Sequence, residues 1–198
     1  ETDATAKLAN VSAQEIGAVT VNADLEAKGD ARLISVNVGG VAGGISVSYV
    51  DVNSKNRAIV DTDRISVTRS IGKLDVTTGA NSHNKTEAST GAVAASVGGV
   101  SAGINASIAR NRAMSLAEIS GSKGLNVTGG VNLKSTTVGN AAADTIGMKI
   151  GLASVAASVS VASNEATSQA NMKLKSALMA DLNAEATVTG ETKASQTT

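Results

Sequence analysis

An internal repeat constrains the fold of this chain more than any other feature of the sequence. Residues 38–45 (VGGVAGGI) return as 97–104 (VGGVSAGI) after 59 residues, and in weaker form as 152–159 (LASVAASV) after a further 55. Self-similarity at a fixed period is typical of stacked units that bury a continuous core only together. We therefore predict about three and a half units of roughly 55 residues in a single segment, 1–198.

Two further landmarks follow the glycine-rich one in constant order. The first is LDVTTG at 74–79, matched with LNVTGG at 125–130 and LNAEAT at 182–187, while VTVNAD at 19–24 has the same phase. The second is the Asn-Arg-Ala group, at 56–58, 111–113 and, as Asn-Glu-Ala, 164–166. Because all three landmarks recur in order, the repeat frame does not depend on one low-complexity motif.

Each unit has the period of β-strands. From Val19 to Leu33 the odd positions are apolar or small and the even positions are polar, which is the two-residue alternation of a half-buried strand. The segment 170–186 places Leu174, Leu178 and Leu182 four residues apart, as a helix would. The same residues also share one parity and occupy strand positions of the repeat, so we predict strand there.

The glycine-rich strand changes parity at the same place in every unit. We predict that Val41, Ile45, Val47 and Tyr49 point inward and the serines between them outward, with matching inward sets at 100–108 and 155–161. Before the glycines the apolar residues occupy the other set of alternate positions, as Val36 and Val38 do, and would therefore point to the opposite face of the strand. A shift shared by all units indicates a bulge or corner, because an uncorrected shift would turn the apolar set outward.

Two explanations for the glycines stay open. A tight hairpin would need glycine at positive φ, whereas a closely approaching sheet would need only small side chains. In the third unit, Ala153 and Ser154 are aligned with the glycine pair and keep the small size without easy access to positive φ. This favours close approach.

Composition explains what fills the core and excludes several functions. The chain has one Tyr and no Phe, Trp or Cys, so we expect a thin aliphatic core and no disulfide or thiolate site. Its 17 basic and 17 acidic residues balance without a basic patch, which argues against nucleic-acid binding. The uncharged run 88–109 is interrupted by Ser and Asn, and we predict no membrane insertion of this segment.

The three landmarks together resemble the long repeat arrays of large bacterial filamentous adhesins. The likeness is greatest to the fusobacterial leukotoxin-type members of the filamentous haemagglutinin-like group, and it extends over essentially the whole chain. The resemblance implies an elongated β-solenoid, in particular a right-handed parallel β-helix, at the bacterial cell surface. It also implies that neighbouring repeats of a longer parent chain are partners. The array motifs of this family carry no catalytic residues that could be transferred to this sequence.

Candidate site residues are few, and each has a simpler explanation. His83 is the one histidine and lacks neighbours for a metal site or a catalytic triad, so we interpret it as an exposed loop residue. Asp61 and Asp63 could pair on a cation, but a solvated turn fits them better. Tyr49 is predicted to be a core or rim residue rather than a sugar-stacking platform. The run 39–44 lacks the Lys-Ser/Thr ending of a phosphate-binding loop.

These observations favour a structural and interaction role without catalysis. We expect no catalytic residue, no cofactor and no metal, an extracellular location, and end-to-end self-association through open sheet edges. Beyond the parent chain, the expected class of partner is a host-cell or bacterial surface ligand. The alternative is a carbohydrate-active or carbohydrate-binding parallel β-helix, which would need a groove lined by paired carboxylates.

Overall fold

The computed structural model describes residues 1–79, 84–176 and 180–197, and within these ranges the chain forms strands joined by corners. No α-helix occurs among the described residues, and none of their segments could cross a membrane as a helix. The strands are β1 (Thr2–Leu8), β2 (Val11–Ala23), β3 (Ala27–Val38), β4 (Val41–Asp61), β5 (Ile65–Thr78), β6 (Lys85–Val97), β7 (Val100–Gly121), β8 (Val131–Ile150), β9 (Ala153–Asn164), β10 (Thr167–Leu174), β11 (Leu182–Thr189) and β12 (Thr192–Thr197). A 3₁₀ turn at Thr62–Arg64 joins β4 to β5.

All strand pairs are parallel, and they form two sheets. Sheet A contains β1, β4, β7, β9 and β10, and sheet B contains the other seven strands. The chain alternates between the sheets, so β4 continues into β5 and β6, and β7 continues into β8. Each such passage is one coil with a long strand or strand pair in each sheet. The all-β architecture predicted from the alternation is therefore confirmed, and the strands are parallel, as the family resemblance implied.

One repeat unit makes one coil, which the sequence could not decide. Val41 pairs with Val100, and the register continues without a shift to Asp61 opposite Ser120. Because each unit is divided between only two sheets, the strands are long, with 21 residues in β4, 22 in β7 and 20 in β8. This length is well beyond the five or six residues of an average globular strand.

The pairing corrects several of the sequence alignments. Val100 pairs with Ala153, so Gly151 and not Ala153 occupies the place of Gly98 in the third coil. Leu74 pairs with Val131, and the predicted match between 74–79 and 125–130 is wrong by six residues.

The same comparison confirms other landmarks. Val19 pairs with Leu74, as the shared phase of 19–24 and 74–79 predicted. Asn111 pairs with Asn164, but Asn56 pairs with Ser115 and does not stack on Asn111. The sequence alignment of the repeats was wrong where Leu-x-Val and Asn-x-Ala motifs recur by chance, because the chain is built from few residue types.

The glycine corner lies where the parity change predicted a bulge or corner. It links β3 to β4 at 39–40 and recurs at 98–99 and 151–152, each time joining the two sheets. None of these glycines has a positive φ, so the hairpin explanation is wrong. A Cβ on Gly98 would lie 2.1 Å from the carbonyl oxygen of Gly39, and one on Gly151 would lie 2.2 Å from that of Gly98. The need for a small side chain at Gly98 and Gly151 is confirmed, but the predicted facing sheet is wrong, because the approaching backbone is that of the preceding coil.

The core is aliphatic, as the missing aromatic residues predicted, and lies mainly at the end opposite the glycine corners. Its largest fully buried side chains include Ile71, Leu74, Ile119 and Leu133. A second, smaller cluster in mid-strand is built largely from alanines, with Val50 and Val52. The predicted inward parity from Val19 to Leu33 is confirmed in β2 and β3, and strands replace the helix-like spacing at Thr167–Leu174 and Leu182–Thr189. Leu178 lies outside the described residues.

Candidate functional site

The most unusual surface surrounds the glycine corners, where the predicted orientation of the strands is reversed. Ser46 and Ser48 are buried, with 2% and 5% of their surface exposed, whereas Ile45 is 75% exposed. The expectation that Val41, Ile45, Val47 and Tyr49 point inward is therefore wrong. The matching sets in β7 and β9 are reversed in the same way, since Ser101, Asn105 and Ser107 are buried while Val100, Val155 and Val161 are exposed.

Backbone parity explains this reversal. In β4 the even positions Val50, Val52, Ala58 and Val60 are buried in the core. Because β4 pairs with β7 without a bulge, the same parity continues to Ser48 and Ser46. The apolar residues change parity between Tyr49 and Val50, but the backbone does not.

Several of the buried polar side chains form hydrogen bonds across the gap between the sheets. Ser35 Oγ and Ser46 Oγ share a hydrogen bond of 2.7 Å. Ser48 donates to the carbonyl oxygen of Ala31 at 3.1 Å. In the next coil, Ser107 donates to the carbonyl oxygen of Asp144 at 2.7 Å. These bonds satisfy polar groups whose burial would otherwise be costly, and they hold the two sheets together where no aliphatic core exists.

The outer surface around the corners is apolar on both sheets. We call the outward-facing side chains of 34–49, 93–108 and 146–161 the apolar arch. The middle coil shows that the exposure is not an effect of the stack ends, since Val100 and Ile104 remain 51% and 47% exposed with a strand on either side. Leu152, at a corner, is fully exposed. Contiguous apolar patches of more than a few hundred Å² are rare on monomeric proteins and mark interaction surfaces.

Ion pairs between coils form a border to the apolar arch on sheet A. Arg112 binds Asp51 through two hydrogen bonds, from Nε at 3.1 Å and from Nη2. Arg110 binds Glu165 of the following coil, with Nη2 2.7 Å from Oε1. Tyr49 stands just inside the border and donates its hydroxyl to Asp51 Oδ2 at 3.1 Å. The border is electrically balanced, because each of these charges is paired.

The charges near the arch are perturbed in directions that follow from these contacts. Burial raises the pKa of the Asp51 carboxyl, but the hydrogen bonds from Arg112 and Tyr49 outweigh it and leave this pKa below its usual value. The bond to Asp51 raises the pKa of Arg112. Lys149 donates to the carbonyl oxygens of Gly103, at 3.3 Å, and Val155, and burial lowers its pKa. The ammonium group of Lys149 thus joins the two sheets beside the polar interior.

The structure places Asp61 and Asp63 at the opposite corner, where each has a structural partner. Asp61 forms ion pairs with Lys7, at 3.2 Å, and with Arg64. Asp63 accepts hydrogen bonds from the backbone N–H of Ser122, at 2.8 Å, and from its hydroxyl, which lower the pKa of the carboxyl. The two carboxylates therefore join neighbouring coils and are not assembled into a cation site. Among the described residues, no group of three or more His, Asp or Glu side chains could hold a metal ion.

The remaining described candidates, Tyr49 and the run 39–44, lie in or next to β4. Tyr49 was predicted to be a core or rim residue, and at 55% exposure on the outer face of β4 it is not part of the core. The run 39–44 comprises the corner at 39–40 and the first four residues of β4, and no helix follows it. His83 lies outside the described residues. Among the described candidates, Tyr49 and the run 39–44 belong to the apolar arch, and Asp61 and Asp63 lie at the opposite corner.

Sequence reasoning missed the apolar arch, although a signal for it was present. The apolar parity in β4 changes between 49 and 50 in a stretch without Gly or Pro, where a strand has no reason to bend. A strand that runs straight through such a change must expose one of its two apolar sets.

Comparison with protein-family models, with curated proteins and with solved structures finds no match to this chain.

Proposed function

We propose that this chain is part of a stalk in a bacterial surface filament, built as an elongated, right-handed parallel β-helix of about three and a half repeats and without catalytic activity. The observation that carries the proposal is the unbroken parallel register from one coil to the next. Each coil offers the next coil the same two strand edges, so the stack can grow in one dimension without a change of interface.

Contacts on the outer faces support a stacking role. Ion pairs between successive coils include Lys173 with Glu118 at 2.7 Å and Lys134 with Glu185 at 3.2 Å. Such pairs favour one register over its neighbours, because a slip of one residue would break them. With strands of about 20 residues and a rise of roughly 4.8 Å per coil, the resulting filament would be thick for its length.

The free strand edges give a direct test. We expect sedimentation velocity to show an open-ended series of species whose size grows with protein concentration, and electron microscopy to show particles lengthened along the coil axis. A chain that sediments as a strict monomer at high concentration would contradict end-to-end stacking.

A second measurement addresses the carbohydrate alternative. Binding to a panel of acidic and neutral polysaccharides can be measured with the same protein, and we expect none to bind. Specific binding of one polysaccharide would replace the stalk proposal with a carbohydrate-binding domain. Release of sugar fragments from it would indicate an enzyme.

A further inference from the structure

We infer that the outer face of the apolar arch on sheet A pairs with the same face of a second copy of this chain. This face, named the A-face, comprises the outward side chains of 41–49, 100–108 and 153–161. It is a lateral contact between flat sheet surfaces and therefore goes beyond the end-to-end stacking of the proposed stalk.

The size of the A-face matches what one partner contributes to a stable dimer. Nine of its apolar or aromatic side chains are between 45% and 83% exposed, and a standard interface buries about 800 Å² on each partner. Each of its three strands contributes five consecutive outward positions without a charge. The opposite face of the arch, on sheet B, is narrower, because Arg32 and Asp144 follow after three outward positions in β3 and β8.

The alternation of large and small side chains on the A-face suits sheet-on-sheet packing. Large and small side chains alternate along the strands, as in Val100, Ala102, Ile104 and Ala106 of β7. Ile45 of β4 stands beside Ile104 of β7, whereas the alternation in β9 is offset, so that Val155 lies beside Ala102. Ridges of Val and Ile beside grooves of Gly and Ala allow two sheets to interdigitate at about 10 Å.

Two observations favour a second copy over a lipid surface. Residues 41–53 of β4 and the whole of β9 have a strand neighbour on one side only within the described chain, so their other edge has unpaired peptide groups. Immersion in lipid would strip water from these groups, at several kcal/mol each, whereas face-to-face pairing leaves the strand edges in water. The charged border is also already neutralised in the Asp51–Arg112 and Arg110–Glu165 pairs. It therefore offers no excess positive charge for anionic headgroups.

The test uses two matched substitutions on opposite faces of the arch. Ile45→Asn changes the A-face at a residue that is 75% exposed, and Ile34→Asn changes the sheet B face at a residue that is 74% exposed. Neither side chain contributes to the core, so both variants should retain the strand signal in circular dichroism. Sedimentation equilibrium of the full chain then measures the dissociation constant of the lateral dimer.

We expect Ile45→Asn to weaken the lateral dimer roughly 100-fold, because each substitution removes two buried isoleucines from a symmetric interface. Ile34→Asn should leave the dissociation constant within about threefold of wild type. Equal effects of the two variants, no effect of Ile45→Asn, or a wild-type chain that never pairs would each overturn the inference. Flotation of the wild type with phosphatidylcholine vesicles, abolished by Ile45→Asn, would overturn it in favour of a lipid surface.

The same measurement separates lateral pairing from end-to-end stacking. If Ile45→Asn halves the mass of each species but the species still grow with protein concentration, the lateral contact and the end-to-end contact both exist. If the variant is a strict monomer and the wild type a closed dimer, the lateral contact stands and the stacking proposal fails. If the open-ended series is unchanged by Ile45→Asn, the stacking proposal stands and the lateral inference fails.

Discussion

Replacement of Gly98 by alanine tests whether the close approach of the preceding coil is the reason for glycine at the corners. Gly98 does not have a positive φ, so an alanine there meets no intrinsic backbone penalty. Its Cβ would instead lie 2.1 Å from the carbonyl oxygen of Gly39 in the preceding coil. Since an ordinary carbon–oxygen contact is about 3.3 Å or longer, the two coils would have to separate locally by more than about 1 Å.

The cost of that separation follows from the bonds that cross the corner. Gly39 donates its N–H to the carbonyl oxygen of Val97 at 3.0 Å, and Val100 donates to that of Gly40 at 3.1 Å. A displacement of about 1 Å takes both outside the usual range, at a net cost of roughly 0.5 to 1.5 kcal/mol each. With about 1 kcal/mol or more for the crowding itself, the free energy of unfolding should fall by about 2–4 kcal/mol.

Gly40→Ala provides the matched control, because a Cβ at Gly40 has no neighbour within 4 Å. It should leave the free energy of unfolding unchanged or raise it by about 0.4 to 1 kcal/mol, since alanine restricts the unfolded chain. Urea unfolding followed by far-ultraviolet circular dichroism measures both variants. If Gly98→Ala lies within about 0.5 kcal/mol of Gly40→Ala, the close-approach argument is refuted.

Three further predictions concern the core, the interior polar groups and the opposite corner. Leu133→Ala, at a fully buried position, should lower the free energy of unfolding by about 2–5 kcal/mol in the same urea assay. Asn111 is fully buried and donates to Thr86 Oγ1 at 2.9 Å, so Asn111→Ala should cost about 1–3 kcal/mol there. The pKa of Asp63 is depressed by hydrogen bonds from Ser122, so its stabilisation is present above the unfolded-state pKa of about 3.9 and is lost as the pH falls through the lower folded value. Ser122→Ala should move that pKa upward in an NMR titration, and an unchanged value would contradict the assignment.

The alternation from Val19 to Leu33 predicted both the strands and their buried face, because each residue type there agrees with the local backbone parity. The repeat spacing of 59 between the first two glycine motifs was also correct to the residue. The third motif was misaligned by two residues, since Ala, Ser and Val recur so often near Leu152 that several alignments score alike. Pairing partners removed this ambiguity, as a register requires every residue of the strand to fit and not only a motif.

The candidate surface was not predictable in the same way. The sequence indicated that Val41, Ile45 and Val47 share a face and that Ser46 and Ser48 share the other. It could not indicate which face points inward, since alternation is unchanged when the strand is turned over. That choice was decided at the far end of β4, where burial of Ala58 and Val60 fixes the parity of the entire strand.

By itself, the sequence determined a repeat of β-strands, the position of the glycine corners and an aliphatic core without rings. These properties follow from local periodicity and from side-chain size, which each unit carries within itself. The tertiary structure decided that one unit makes one coil and that the arch around the glycines is apolar outside and polar inside. Both depend on the pairing of a long strand with its neighbours. A hydrogen-bonded register without a bulge fixes which alternate residues point inward along about 20 residues. This constraint overrides the local preference of Val and Ile for the interior.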